Sequence, residues 1–140
     1  MLAICQHNFG SAIPQAERYL GEVDETDYSP LCVGASYVVY GILFIRDRVD
    51  FLVRAPEQAP FWAPSSLFKL VDANIPSGWE FCNTKNSNDY KVLFDLFSIS
   101  CVVGYPLLVN EYHHYLGVVE RDPLEIVRFV AMVESQKFNY

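Results

Sequence analysis

The sequence has little charge, and positive charge is the scarcer kind. Among its 140 residues, 10 Lys and Arg stand against 17 Asp and Glu, which gives a net charge of -7. Because this balance repels phosphate backbones and anionic lipid headgroups, we expect neither nucleic acid nor a membrane as a partner. A protein with a basic surface is the complementary partner, since opposite potentials speed encounter and suppress wrong pairings.

Long hydrophobic runs and targeting signals are also missing. The longest apolar stretch, residues 31–45, includes Tyr37 and Tyr40 and is shorter than the roughly 20 residues that a membrane-spanning helix needs. The first residues lack the basic start of a secretory signal, and His7 and Gly10 interrupt them at once. We therefore expect a cytoplasmic protein.

The sequence has no glycine-rich phosphate loop and no CxxC pair. Its 7 glycines are single and scattered, so nothing indicates a nucleotide site. The cysteines are far apart and lack histidines at metal-ligand spacing, so we expect no metal and no cofactor. Four cysteines could form two disulfides, but Cys32, Cys82 and Cys101 lie in strongly apolar segments, and we expect all four cysteines, Cys5 included, to be reduced and buried.

Apolar residues, by contrast, make up 51% of the chain, enough for one hydrophobic core in a domain of this length. We predict a single domain with three parts: a short helix and loop over residues 1–30, a sheet over 31–103 and a helical end over 104–140. Residues 37–45 are all apolar or small, as in a strand covered on both faces or one in a tightly curled barrel.

A second strand follows directly. Val49, Phe51 and Val53 alternate with Asp50 and Arg54, the period of a half-buried strand, so residues 36–54 predict a hairpin. Further along, residues 91–103 fit either a helix or a strand, and we predict mostly strand.

The helical end has two signals. Leu108, Tyr112, Tyr115 and Val119 recur at helical spacing and form one apolar face. The last helix is predicted to begin at residues 122–125, where Asp122 can cap it, Pro123 fits the first turn, and Glu125 faces water.

Candidate catalytic residues are few. Nucleophilic catalysis needs a Cys or Ser beside a His, and the available set is Cys101 with His113 or His114. Adjacent helical histidines point about 100° apart and cannot chelate one metal ion. We predict that His114, opposite the apolar face, is solvated, and that Cys101 is inert because its strand has no basic neighbours.

Two features suggest a protein-binding surface. An acidic run fits either a solvated, turn-rich loop or a contact surface; it contains Glu22, Asp24, Glu25 and Asp27. Phe61 and Trp62 lie between two prolines in a predicted loop. There they either anchor a partner or pack over an open end of the sheet.

Several segments together resemble a known group of proteins. These are the strand at residues 37–42 (YVVYGI), the strand at 51–53 (FLV), the FWAP motif at 61–64 with Trp79, and ERDP at 120–123. The pattern is similar to bacterial immunity proteins with an SH3-like barrel, encoded beside toxins of contact-dependent and other polymorphic systems.

The resemblance implies an α+β domain, in which a strongly curled antiparallel SH3-like sheet packs against C-terminal helices. It also implies a function that is not catalytic: tight 1:1 binding of a cognate toxin, for which a basic nuclease would suit the acidic balance. The expected contact residues are Glu22, Asp24, Glu25, Asp27, Phe61, Trp62 and Glu111. The alternatives are a stand-alone peptide-binding module on the same barrel and a small Cys/His enzyme.

Overall fold

The computed structural model describes residues 1–137, with side chains for residues 1–136, and has an α+β architecture. Eight strands and four α-helices occur in this part of the chain. The strands are β1 Leu2–Cys5, β2 Ser36–Val38, β3 Gly41–Ile45, β4 Arg48–Val53, β5 Phe61–Pro64, β6 Phe68–Asp72, β7 Glu80–Asn83 and β8 Ile99–Gly104. The helices are α1 Lys91–Phe97, α2 Pro106–Asn110, α3 Tyr112–Glu120 and α4 Pro123–Lys137.

The strands form two antiparallel sheets. The larger has the order β5-β4-β3-β8-β7 and the smaller β2-β1-β6. Because β5 and β7 lie at opposite edges and do not pair, the larger sheet stays open. The predicted SH3-like barrel is therefore wrong: neither sheet is closed or strongly curled.

The continuous apolar run at residues 37–45 explains this error. It is not one strand, because β2 pairs with β1 in the small sheet while β3 pairs with β4 and β8 in the large one. The chain crosses between sheets at Val39 and Tyr40. The strands are apolar on both faces because the large sheet lies between two other layers of the fold. A strand in a closed barrel would have the same apolar pattern, so the pattern does not distinguish the two.

Two hydrophobic clusters lie on opposite faces of the large sheet. Leu43, Ile45 and Val102 point to the helices, where they meet Leu108 and Phe129. The other face contacts the small sheet in a cluster that joins Ile42, Phe51 and Val53 to Ala3, Tyr37 and Phe68. The large sheet is thus the middle layer of the fold.

Two segments differ from the predicted elements. Residues 2–5, expected in a helix-and-loop region, form β1 because Ala3 and Cys5 alternate inward with Leu2 and Ile4. Residues 91–103 are half helix and half strand: α1 ends where Ser98 adopts a left-handed conformation at φ 58°, and β8 begins at Ile99.

The helical end confirms the predicted start of the last helix. Asp122 accepts a hydrogen bond from the Leu124 amide at 3.1 Å, and Pro123 is the first residue of α4. The preceding segment is not one helix but two, because Glu111 is extended between α2 and α3. Within residues 1–137, no helix is both long enough and apolar enough to span a membrane.

Candidate functional site

A cavity of about 440 Å³ opens between the helix-facing side of the large sheet, α1, α3 and the segment before Tyr28. Buried apolar side chains line its floor, among them Leu43, Ile45 and Leu93. Its rim includes exposed Leu20 and Val119. We refer to this space as the aromatic cavity, because its remaining lining includes Tyr28, Trp62, Phe97, Tyr112 and Tyr115.

The aromatic lining is built by β5 and α3. Trp62 lies 6.3 Å from Tyr115 between ring centroids, and Tyr112 stacks on Tyr115 at 6.1 Å. The Trp62 indole Nε1 is buried without a hydrogen-bond partner in the described chain, so packing rather than polar contact fixes this ring. Tyr115 is 4% exposed.

A buried ion network forms the polar side of the aromatic cavity. Arg48 donates through Nε and Nη2 to the two carboxylate oxygens of Asp50, at 2.7 and 3.0 Å. Its Nη1 donates to Glu22 at 2.9 Å and to the Glu17 carbonyl at 3.1 Å. Four of the five guanidinium donors are therefore engaged inside the protein.

Burial and pairing act against each other in this network. Burial raises the pKa of Asp50, although the Arg48 guanidinium opposes that rise. The two carboxylates hold the pKa of Arg48 above its usual value despite its burial. Burial, with Glu22 nearby, also raises the pKa of Tyr28 to about 12, so this phenol is protonated at neutral pH.

The acidic loop, which we define as residues 22–27, starts at this network and runs to the surface. Backbone hydrogen bonds tie it to the N-terminal segment: the Gly10 amide donates to Thr26 and the Ser11 amide donates to Asp24. A Cβ on Gly10 would lie 1.9 Å from the Val23 carbonyl oxygen, so only glycine permits this close approach. The loop therefore has a fixed backbone.

The four predicted acids do not play one role. Glu22 is buried in the Arg48 network, with its side chain 6% exposed. The other three are exposed: Asp24 pairs with Arg18 at 2.8 Å, Asp27 accepts hydrogen bonds from the backbone amide and hydroxyl of Ser29, and Glu25 lies between them.

The other predicted contact residues lie in different places. Trp62 shares the aromatic cavity with Glu22, while Phe61 joins the opposite hydrophobic cluster. Both are half-buried residues of β5 and not part of a loop, because β5 pairs with β4. Glu111, at the break between α2 and α3, pairs with Arg128 at 3.2 Å.

A second buried network was missed by the sequence reasoning. The prediction that His114 is solvated is wrong, because it is 0% exposed, and Glu125, expected to face water, is buried beside it. His114 Nδ1 lies 2.6 Å from a Glu125 oxygen, and Nε2 lies 2.7 Å from the Tyr105 hydroxyl. Arg128 also donates to Glu125, at 3.1 Å.

The protonation states of this second network follow from its partners. Burial lowers the pKa of His114, against the opposing influence of Glu125. Burial acts to raise the pKa of Glu125, but hydrogen bonds from His114 and Arg128 outweigh it and lower the pKa. The ionised Glu125 carboxylate can only accept hydrogen bonds, so a neutral His114 donates a hydrogen bond to it from Nδ1. His114 Nε2 in turn accepts a hydrogen bond from the Tyr105 hydroxyl.

The structure does not form the hypothetical Cys/His pair. Cys101 has no hydrogen bond to either histidine, His113 is mostly exposed, and His114 is occupied by Glu125 and Tyr105. Burial raises the pKa of the Cys101 thiol. All four cysteines are free, but only Cys5 is buried as predicted. Cys82 and Cys101 are half-buried, and Cys32 is exposed because it lies in the turn before β2.

No group of three or more His, Cys, Asp or Glu side chains suited to a metal ion occurs among the described residues. Comparison of the chain with protein-family models, curated proteins and solved structures found no match.

Proposed function

We propose that this protein binds and neutralises a cognate toxin in the cytoplasm as a 1:1 complex, with the acidic loop as its main contact. The proposal continues the resemblance to immunity proteins and does not depend on a barrel. Its partner is a toxin with a basic surface, such as a nuclease.

The proposal rests on one observation: three exposed carboxylates are held on a backbone that is hydrogen-bonded to the rest of the protein. Asp24, Glu25 and Asp27 face solvent on a backbone that is hydrogen-bonded to residues 8–11, including the Tyr28 amide to the Asn8 carbonyl at 2.9 Å. A loop that is ordered before binding loses less conformational entropy on association. Its charge steers a basic partner toward this face.

Glu22 has a different part in the proposal. Its carboxylate is committed to Arg48 and to the Leu20 amide, so it fixes the start of the acidic loop and does not contact the toxin. Glu111 lies outside the acidic loop, at the break between α2 and α3, and Trp62 lies in the aromatic cavity. The toxin contact is therefore assigned to the three exposed acids.

The test is protection of growing cells. The toxin domain encoded immediately upstream is expressed alone or with this protein, and survival is measured. The wild-type protein is expected to protect, and the triple variant Asp24→Asn, Glu25→Gln, Asp27→Asn to lose protection, because the steering charge and the contacts disappear together.

A control variant tests whether protection depends on the acidic loop itself or only on the net charge of the protein. Glu57→Gln, Asp89→Asn and Asp95→Asn neutralise three exposed carboxylates outside the acidic loop. This variant should protect as well as the wild type. The absence of a toxin from the upstream gene, or equal protection by the loop variant, would refute the proposal.

A further inference from the structure

We infer that the aromatic cavity binds a small organic cation with an aromatic or aliphatic body, of the arylalkylammonium class. The site is separate from the proposed toxin contact, so either assignment can fail without the other. Three properties of the lining lead to this ligand: its shape and apolar floor, its excess of carboxylates, and an unpartnered hydroxyl.

The size and floor of the cavity suit an apolar body. A volume of about 440 Å³ lies within the range of small-molecule sites, which are concave, mostly apolar and contain a few polar groups. The floor of Leu43, Ile45, Leu93 and Ile99 belongs to the sheet and α1, and these side chains are buried. Burial of a ligand ring against them supplies the hydrophobic part of binding.

The charges of the lining select a cation. Among the described residues of the lining, Arg48 is the one basic residue, against three carboxylates from Glu22, Asp50 and Glu120. The negative excess does not depend on Asp50, because Glu22 and Glu120 alone outnumber the guanidinium. Arg48 donates to Asp50, Glu22 and the Glu17 carbonyl, so an anion could recruit it only by breaking those bonds.

The third property is the hydroxyl of Tyr115. This residue is 4% exposed and lines the cavity, yet its hydroxyl has no hydrogen-bond partner within the described chain. The hydroxyl oxygen is not among the buried polar atoms without a partner in the described chain, so it is open to the cavity, where it can accept a hydrogen bond from an ammonium N–H group. The rings of Trp62, Tyr112 and Tyr115 also line the cavity, and aromatic rings attract cations.

A matched ligand series tests the inference. Phenylbutylamine, phenylbutanol and phenylbutyrate share one apolar body and differ in the charge of the end group. Each is titrated into the wild-type protein by calorimetry, with backbone amide NMR shifts to locate binding. We expect the amine to bind at least about tenfold more tightly than the alcohol, and the carboxylate most weakly. The shifts should centre on β3, β4 and α3.

Two conservative variants identify the groups that recognise the cation. Tyr115→Phe keeps the ring and removes the hydroxyl, and Glu22→Gln keeps an acceptor for Arg48 but removes a charge. Both should weaken the amine severalfold and weaken the uncharged alcohol less. Asp24→Asn, an exposed acid two residues further along, is the control and should bind the amine like the wild type.

The wild-type titrations decide the question even if a variant fails to fold. Equal affinities for the amine and the alcohol, tighter binding of the carboxylate, amide shifts elsewhere in the protein, or no binding of the amine would each overturn the inference.

Discussion

Buried ionisable side chains join parts of this protein that are distant in sequence. Arg48 on β4 connects Asp50 to Glu22 and to the Glu17 carbonyl, and so attaches the N-terminal segment to the large sheet. His114 on α3 connects Glu125 on α4 to Tyr105. Such groups are costly to bury, so their pairing restricts the chain to arrangements that satisfy them.

Arg48→Met is expected to reduce the free energy of unfolding by about 3–5 kcal/mol, because Asp50 and Glu22 would stay buried without a cation. Denaturant unfolding followed by circular dichroism measures the loss. Arg46→Met is the control: Arg46 is exposed and lies over the Tyr19 ring at 5.1 Å, so its removal should cost less than about 1 kcal/mol. Equal losses in the two variants would contradict this role of Arg48.

The His114 network predicts a pH dependence with a definite sign. Burial lowers the pKa of His114 in the folded state from 6.5, so the unfolded chain binds the proton more strongly. The stabilising contribution is complete above the unfolded pKa and is lost as the pH falls below it. The lowered pKa of Glu125 acts in the same direction, but only below its unfolded value of 4.5.

The unfolding free energy should therefore decrease as the pH falls from neutral through 6.5 toward the lowered folded pKa. Chemical unfolding at a series of pH values measures this slope. His114→Gln should be less stable at neutral pH and should lose most of the slope in this window. A wild-type stability that is constant or rises on mild acidification would show that His114 is not held neutral.

Among the helices, the sequence predicted where α4 begins, but not where α1 and α3 begin or which face α3 buries. Asp122 and Pro123 mark the start of α4 because capping depends on neighbouring residues alone. The buried face of α3 could not be read from an apolar stripe. The predicted stripe includes Val119, which is exposed, whereas His114 and Gly117 are buried.

The reason is the close packing of α4 on α3. A Cβ on Gly117 would lie 2.3 Å from Glu125 Cγ and 2.6 Å from its Cβ. This approach places Glu125 over α3 and brings His114 inward as its partner. No local sequence pattern predicts a contact between residues 117 and 125. A single glycine inside a helix does, however, indicate a position where another part of the chain packs closely.

Gly117→Ala tests this packing through the sign of its effect. At an ordinary internal helix position, alanine stabilises by about 0.8–1.0 kcal/mol relative to glycine. Here we expect destabilisation of about 1–3 kcal/mol, because the new methyl group would overlap Glu125 and separate the two helices. Thermal unfolding distinguishes the two signs. A stabilised variant would mean that α3 and α4 are not in close contact.

For the whole molecule, the sequence predicted an α+β fold and a negative net charge. The apolar pattern of the strands, however, could not distinguish two packed sheets from a barrel. Continuous apolar residues show that both faces of a strand are covered, not what covers them. Here the helices cover one face of the large sheet, and β1, β2 and β6 cover part of the other. The pairing of β1 with β2 and β6 spans long sequence separations, which a local reading cannot detect.

The same limit applies to the two candidate surfaces. The acidic run was visible in the sequence, but the division between buried Glu22 and exposed Asp24, Glu25 and Asp27 depends on Arg48 approaching from β4. The aromatic cavity was not visible, because its lining comes from five separate stretches of the chain, between Leu20 and Glu120.

We propose that the exposed carboxylates of the acidic loop bind a basic toxin. Calorimetric titration of the upstream-encoded toxin domain with this protein, at low and at high salt, measures this binding. We predict a 1:1 complex whose affinity falls as salt screens the carboxylates. We also predict that the complex is lost in the Asp24→Asn, Glu25→Gln, Asp27→Asn variant and retained in the Glu57→Gln, Asp89→Asn, Asp95→Asn control. Binding that is indifferent to salt and to the acidic-loop substitutions, or no binding by the wild-type protein, would contradict the claim.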